Sequence, residues 1–292
     1  MLIGTSSWKY EGWMNQIYTP ERYFTRGRFS AKKFEETCLE EYAETFPTVC
    51  GDFSFYQFPS EAFWQKLFSN APPSLQFAFK VPEAVTVKVF PAHARYGARA
   101  GMENPDFLNF DLLEQLFLEP LRPFGARTAV LIFEFGTMPK KVMPDVETWI
   151  KDLAPFLAKL PAGPRYAVEL RNPEFLGPEY FGTLQSHGVA HVFNAWTRMP
   201  ELSVQTAIED AYTADFTVVR ALLRRGQAYE DAVEGYSPYD RIRQPYPDAR
   251  EALQALIQRS LAKRQPSYIF VNNRLEGNAP GTIESIVDQV DV

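Results

Sequence analysis

The chain has 292 residues, of which 46% are hydrophobic and 23% are charged, and its net charge is −6. This composition is typical of a globular protein with a large core, and the negative charge argues against an extensive nucleic-acid-binding surface. No apolar run approaches the roughly 18 residues of a membrane span. Since the first predicted strand begins at Leu2, we expect a cytoplasmic protein with no signal peptide and no membrane contact.

The cysteine, histidine and glycine patterns of the sequence argue against disulfide, metal and nucleotide sites. The two cysteines, Cys38 and Cys50, are too few for a disulfide scaffold, and we expect buried thiols. The three histidines, His93, His187 and His191, do not have the spacing of a zinc site. Glycine-rich nucleotide loops and a nucleophile elbow are absent from the sequence. We therefore expect neither a metal nor another cofactor.

Eight short apolar runs recur along the chain and alternate with segments of helical periodicity. Such runs are typical of strands buried on both faces, and the alternation predicts a parallel sheet with crossover helices. Eight units predict an α/β fold, a (β/α)8 TIM-type barrel that forms one domain over residues 1–292. In chain order the runs are Leu2–Trp8, Thr48–Ser54, Gln76–Pro82, Thr128–Phe135, Tyr166–Asn172, Ala190–Trp196, Phe216–Leu222 and Tyr268–Arg274.

The helical segments carry recognisable end signals. Ser30 and Ser60 are predicted N-caps. Asp248, with Glu251 three residues later, is predicted to form a capping box at the start of the helical segment that follows it. Pro155 lies inside a helical pattern, where we expect a kink or a second helix.

Two connections are longer than a barrel needs, at about 83–109 and 223–247, and both carry several basic residues. Long connections in a compact domain are usually functional. Both follow the C-terminal ends of strands, so we expect both to overhang the rim where barrel enzymes hold their active sites.

Charged and polar side chains collect at the downstream ends of the runs. We expect Lys80, Arg171 and Arg220 to hold an anionic group by charge-assisted hydrogen bonds. Glu169 or Glu134 would act as general acid or base, and Lys80 is a third candidate catalytic residue. An internal salt-bridge network that only closes the barrel mouth is the alternative. The further candidates for substrate binding are Trp8, Asp52, Tyr56, Asn194, Asn272 and Asn273.

Two finer hypotheses concern this rim. Glu134 and Glu169 could form a glycosidase pair, in which a separation of about 5–5.5 Å implies retention and roughly 6.5–9.5 Å implies inversion. Arginines that hold both carboxylates, with no space between them, would exclude that pair. The turn at 277–282 could hold an anion at the helix N-terminus that follows it, or it could be a structural turn only.

Short motifs spread over the whole chain resemble one known family. They are Gly4–Trp13, Phe55–Ser60, Phe79–Pro82, Ala167–Asn172, Val219–Arg220 and Phe270–Asn273 with Gly277 and Ala279. Together they resemble the YecE-like family, known as domain of unknown function 72. The resemblance implies a single TIM-type barrel and supplies no activity.

The chain departs from the family pattern at four places. Cys50 and Asp52 stand where a glutamate and an asparagine are usual, and Val87 stands where a histidine is common. Glu134–Gly136 replaces Gln-Phe-Pro, and Ala221–Leu222 replaces His-Gly. These departures indicate a divergent branch, in which Asp52 is a candidate for the lost carboxylate role.

The leading hypothesis is a metal-independent enzyme of the hydrolase or isomerase class that acts on a small anionic or sugar-like substrate at the rim. The alternative is a non-catalytic barrel that binds a phosphate- or carboxylate-bearing metabolite, or a short single-stranded nucleic acid through arginine and aromatic side chains.

Overall fold

The computed structural model describes residues 1–290. Eight parallel strands close into a barrel, because β1 pairs with both β2 and β8. The predicted barrel is confirmed, and each predicted apolar run coincides with one strand, although β8 begins one residue before its run, at Ser267. The strands are β1 (Leu2–Thr5), β2 (Thr48–Gly51), β3 (Gln76–Lys80), β4 (Thr128–Phe135), β5 (Tyr166–Leu170), β6 (Ala190–Ala195), β7 (Thr217–Ala221) and β8 (Ser267–Val271).

Helices surround the barrel and connect its strands. They are α1 (Ala31–Thr45), α2 (Phe53–Tyr56), α3 (Glu61–Ser69), α4 (Glu83–Thr86), α5 (Phe110–Leu113), α6 (Glu119–Leu121), α7 (Val146–Leu157), α8 (Pro178–Ser186), α9 (Leu202–Thr206), α10 (Tyr229–Tyr236), α11 (Pro247–Ala262) and α12 (Ala279–Val287). A small hairpin, Phe24–Thr25 with Arg28–Phe29, precedes α1. Within residues 1–290, none of the helices combines the length and the apolar character needed to cross a bilayer.

The helix ends follow the predicted signals in two of three cases. The hydroxyl of Ser30 accepts from a backbone N–H of α1, and that of Ser60 does the same for α3. The prediction for Asp248 is wrong, because α11 begins one residue earlier, at Pro247. Proline suits this first position since its missing N–H would have no partner there. No second helix begins at Pro155, because α7 continues through it and ends at Leu157.

Side-chain alternation builds the functional end of the barrel. Every second strand residue, such as Ala78, Ile132 and Val218, packs in the barrel interior, whereas the residues between them pack against the helices. With a period of two, the next inward positions are Lys80, Glu134 and Arg220. The same pattern that fills the barrel therefore places charged groups above its apolar interior.

Candidate functional site

A pocket of about 910 Å³ opens at the C-terminal ends of the strands. Its volume lies within the range that holds small organic ligands. Trp8, Tyr56 and Trp196 line it as aromatic walls. Both long connections reach it, through Arg95 from the first and Tyr229 from the second. Residues of both connections thus contribute to the pocket lining, and α10 and short helical turns give the connections regular structure.

Six charged side chains form an ion cluster at the pocket floor. They are Asp52, Lys80, Glu134, Glu169, Arg171 and Arg220. Lys80 Nζ lies 2.9 Å from Glu134 Oε2, and Arg220 Nη1 lies 2.7 Å from the same oxygen. Arg171 Nη2 lies 3.0 Å from both Glu134 Oε1 and Glu169 Oε1. Three cations thus balance three carboxylates.

Glu134 and Glu169 do not form a glycosidase pair. They are register partners on β4 and β5, and Arg220 Nη1 contacts both carboxylates. Arg171 bridges the same two side chains from the other side. Each carboxylate is thus held by two arginines, whereas a glycosidase pair needs its carboxyl groups free to reach the sugar or the attacking water.

The cluster is buried, and its charges stabilise one another. Desolvation opposes ionisation of Glu134, but Arg171, Lys80 and Arg220 together hold the pKa of this carboxyl well below its usual range. Desolvation alone would lower the pKa of Arg220, and the neighbouring Glu169 and Asp52 reverse that effect and raise it. Glu134 therefore stays ionised at neutral pH and cannot donate a proton there.

Aromatic faces support two of the cations. Lys80 Nζ lies 3.7 Å from the ring centre of Phe55, and the guanidinium carbon of Arg171 lies 3.8 Å from that of Trp196. Such cation–π contacts orient the charged groups. Trp196 therefore acts as a wall of the pocket and also holds Arg171 in place.

Three predicted site residues do not line the pocket. Glu169 is the fully buried member of the cluster, and Asn194 is buried with its amide nitrogen donating to the Leu170 carbonyl, at 3.1 Å. Asn273 points outward, because it directly follows the inward-facing Asn272. Its Oδ1 accepts from Trp13 Nε1 and from the Ala279 backbone N–H.

The other predicted residues do reach the pocket. Lys80, Glu134, Arg171, Arg220, Asn272, Trp8, Asp52 and Tyr56 all contribute to its lining. Of the cluster carboxylates, Asp52 is the most accessible, with 35% of its side chain exposed. Its Oδ1 lies 3.1 Å from Arg220 Nη2 and 3.8 Å from Lys80 Nζ.

The expected anion site at the start of α12 is not available. The first N–H, of Ala279, donates to Asn273 Oδ1 at 2.8 Å, and Pro280 has no N–H. The N–H of Gly281 donates to the side chain of Asn278 at 2.7 Å. Since the turn satisfies these donors internally, the structural interpretation of this segment is the correct one.

Arg274 is a pocket residue that the sequence prediction missed. It lies in the turn that follows β8, where strand alternation no longer applies, so the pattern that selects Arg171 does not select it. Its guanidinium carbon lies 4.6 Å from the ring centre of Tyr229. Burial raises the pKa of Tyr10 and of Tyr239, and the nearby charge of Arg274 opposes both shifts.

Two buried side chains with shifted pKa values, Cys50 and His191, do not line the pocket. Burial raises the pKa of Cys50, inside the barrel, to about 12, which keeps it as an unreactive thiol. Burial lowers the pKa of His191 to about 3. Within residues 1–290, no group of three or more His, Cys, Asp or Glu side chains is placed to hold a metal ion.

Comparisons with known proteins agree with the fold. The family described as "Protein of unknown function DUF72" matches residues 2–292. A DUF72 family protein from Thermotoga maritima is 20% identical, with a TM-score of 0.64 over 98% of this chain and 97% of that chain. One from Enterococcus faecalis is 14% identical, with a TM-score of 0.62 over 100% and 96%. Proteins of curated function give no match.

Proposed function

The chain belongs to the DUF72 family, and we propose that it is a metal-independent enzyme that acts on a small anionic substrate at the barrel mouth. The reaction class is an acid–base reaction, either hydrolysis or isomerisation. The observation that carries this proposal is that the side chain of Arg274 faces the pocket without an ion-pair partner in residues 1–290. It lines the pocket, it makes no salt bridge within residues 1–290, and its Nε has no hydrogen-bond partner there.

The charge of the pocket supports an anionic substrate. Seven cationic side chains line it against four carboxylates, in a chain whose net charge is −6. A cleft whose charge opposes that of the whole protein concentrates ligands of the other sign. The cations are Lys9, Lys66, Lys80, Arg95, Arg171, Arg220 and Arg274, and the carboxylates are Glu35, Glu36, Asp52 and Glu134.

Asp52 is the proposed general base. Glu169 is fully buried, and Glu134 is held by three cations, so neither can meet a substrate and exchange a proton with it. Asp52 faces the pocket and remains partly exposed. Lys80 lies between Asp52 and Glu134, and its ammonium group is the proposed proton carrier beside Asp52. In this scheme Arg274 binds the anionic group, and the two glutamates position the cations.

The test separates binding from turnover. Thermal-shift screening against carboxylates, phosphates and neutral sugars identifies ligands, and each hit is then assayed for product. We expect Arg274→Ala to lose the anionic hits and Asp52→Asn to keep them while losing turnover by about 100-fold or more. Hits that are neutral sugars and survive Arg274→Ala, or turnover that survives Asp52→Asn, would overturn the assignment.

A second candidate function is a non-catalytic binding barrel for a metabolite that carries phosphate or carboxylate. It is favoured by the ion pairs that engage every carboxylate of the cluster. It predicts ligands that bind and never yield product, with Asp52→Asn neutral for binding. Short oligonucleotides belong in the same screen, and a steep salt dependence of their binding would indicate the nucleic-acid version.

A further inference from the structure

The pocket does not end at the barrel mouth. Beyond Trp8 its lining continues between the neighbouring helices α1 and α3. Elsewhere on the barrel, neighbouring helices fill this space: Trp149 of α7 stacks on Tyr180 of α8, with ring centres 5.6 Å apart. We call the space between α1 and α3, lined by Leu39, Phe53, Phe63 and Leu67 with Trp8 at its inner end, the α1–α3 groove.

The α1–α3 groove has an apolar floor and a charged rim. Phe63, Lys66 and Leu67 of α3 recur at the spacing of one helix face and line the pocket, as does Asn70, which directly follows the helix. Leu39 of α1 faces them and is only 4% exposed. The longer side chains at the outer edge are polar, namely Glu35, Glu36, Lys66 and Asn70.

The aromatic side chains make this floor continuous with the barrel mouth. Trp8 meets Phe53 edge to face, with ring centres 6.4 Å apart, and Phe53 meets Phe63 at 4.9 Å. An apolar path therefore leads from the ion cluster to the outer edge of the two helices. An apolar ligand that covers this path would bind favourably, because its contact removes apolar surface of both the ligand and the protein from water.

We propose that the site takes an elongated, amphipathic anion, whose acidic head lies at the barrel mouth and whose apolar tail lies in the α1–α3 groove. This inference rests on the proposed function, since it uses the same pocket and the same anionic head. The groove supplies the length selectivity, and Arg274 supplies the attraction for the charge. Buried methylenes are each expected to tighten binding by roughly fourfold.

Straight-chain carboxylates measure the two parts separately. Acetate, hexanoate and decanoate are titrated calorimetrically into the wild-type protein and into Leu67→Trp, whose larger side chain fills the groove. The matched control is Leu116→Trp, because Leu116 is 44% exposed and does not line the pocket. Thermal unfolding of each variant confirms that it is folded.

We expect affinity to rise steeply from acetate to decanoate in the wild type and in Leu116→Trp. In Leu67→Trp the rise should be lost, by at least tenfold for decanoate, while acetate still binds. Equal affinity for all three acids, each lost in Arg274→Ala, would overturn the groove proposal and leave the proposed function standing. A rise that persists in Leu67→Trp would place the tail elsewhere, and failure of every acid to bind the wild type would overturn both.

Discussion

Glu134 and Glu169 lie side by side on β4 and β5, and a single guanidinium nitrogen of Arg220 contacts both of their carboxylates. Two acidic groups at adjacent register positions would repel each other if they stood alone. Arg220 and Arg171 each contact both carboxylates, and their positive charges offset that repulsion. The pair is therefore a structural support for the pocket floor, and it holds the cations that line the pocket.

Removing the shared cation should destabilise the fold severely. Arg220 is only 1% exposed, so Arg220→Met leaves two carboxylates buried without the cation that they share. We expect the free energy of unfolding to fall by about 3–5 kcal/mol in urea titrations. The control is Arg243→Met, which breaks an ion pair with the more exposed Asp240 and should cost at most about 1 kcal/mol. Equal losses in the two variants would contradict a stabilising role for the cluster.

Arg171→Ala should also cost stability, which revises the expectation from sequence alone. From its position at a strand end, Arg171 is expected to bind ligand with modest structural importance. The structure gives it contacts with two buried glutamates and a stacking partner, Trp196. We now expect a loss of about 3–5 kcal/mol together with weaker ligand binding. A stable Arg171→Ala protein that has lost only ligand affinity would restore the original expectation.

The barrel and the position of its site follow from the sequence because they depend on period-two alternation. That pattern places Lys80, Glu134 and Arg220 inward from their strands, without any knowledge of their partners. Neighbouring strand ends also suggest Glu134 and Glu169 as partners of the basic residues, but the sharing of Arg220 and Arg171 by both glutamates depends on the strand register. The sequence therefore suggests Glu134 and Glu169 as reactive carboxylates, whereas in the structure both form ion pairs with arginines.

Outward-facing residues at the rim were harder to assign for a related reason. Asn272 and Asn273 are chemically identical, and only their alternation separates the one that lines the pocket from the one that does not. The two acceptor contacts of Asn273 come from Trp13 and Ala279, and the first of these is remote in sequence. Arg274 lies in the turn after β8, where strand alternation does not apply, so its place in the pocket depends on the conformation of that turn.

Asn273→Ala should therefore act on stability and not on binding. The substitution removes the acceptor for Trp13 Nε1 and for the first N–H of α12, and both donors are buried. Each unsatisfied buried donor costs about 1–3 kcal/mol. We expect a lower melting temperature with the affinity for anionic ligands unchanged per folded molecule. Asn272→Ala, which changes the pocket lining itself, is the comparison, and a binding defect confined to Asn273→Ala would contradict this assignment.

His191 should make the protein less stable as the pH falls below neutrality. It is buried among Tyr180, Phe181 and Phe193, and burial lowers its pKa from 6.5 to about 3. Between those values the unfolded chain binds a proton that the folded protein does not. The stabilisation is therefore complete above about pH 6.5 and is lost progressively as the pH falls toward 3, at up to about 1.4 kcal/mol per pH unit.

Urea titrations at pH 7 and pH 5 measure this slope in a range where most carboxylates remain ionised in both states. The wild type should be less stable at pH 5 than at pH 7, by about 1–2 kcal/mol. His191→Gln should remove most of that difference, because glutamine does not titrate. His187→Gln, which replaces a half-buried histidine on the barrel exterior, should retain it. If His191→Gln keeps the full pH dependence, another group carries the proton linkage, and the folded state admits a charged His191.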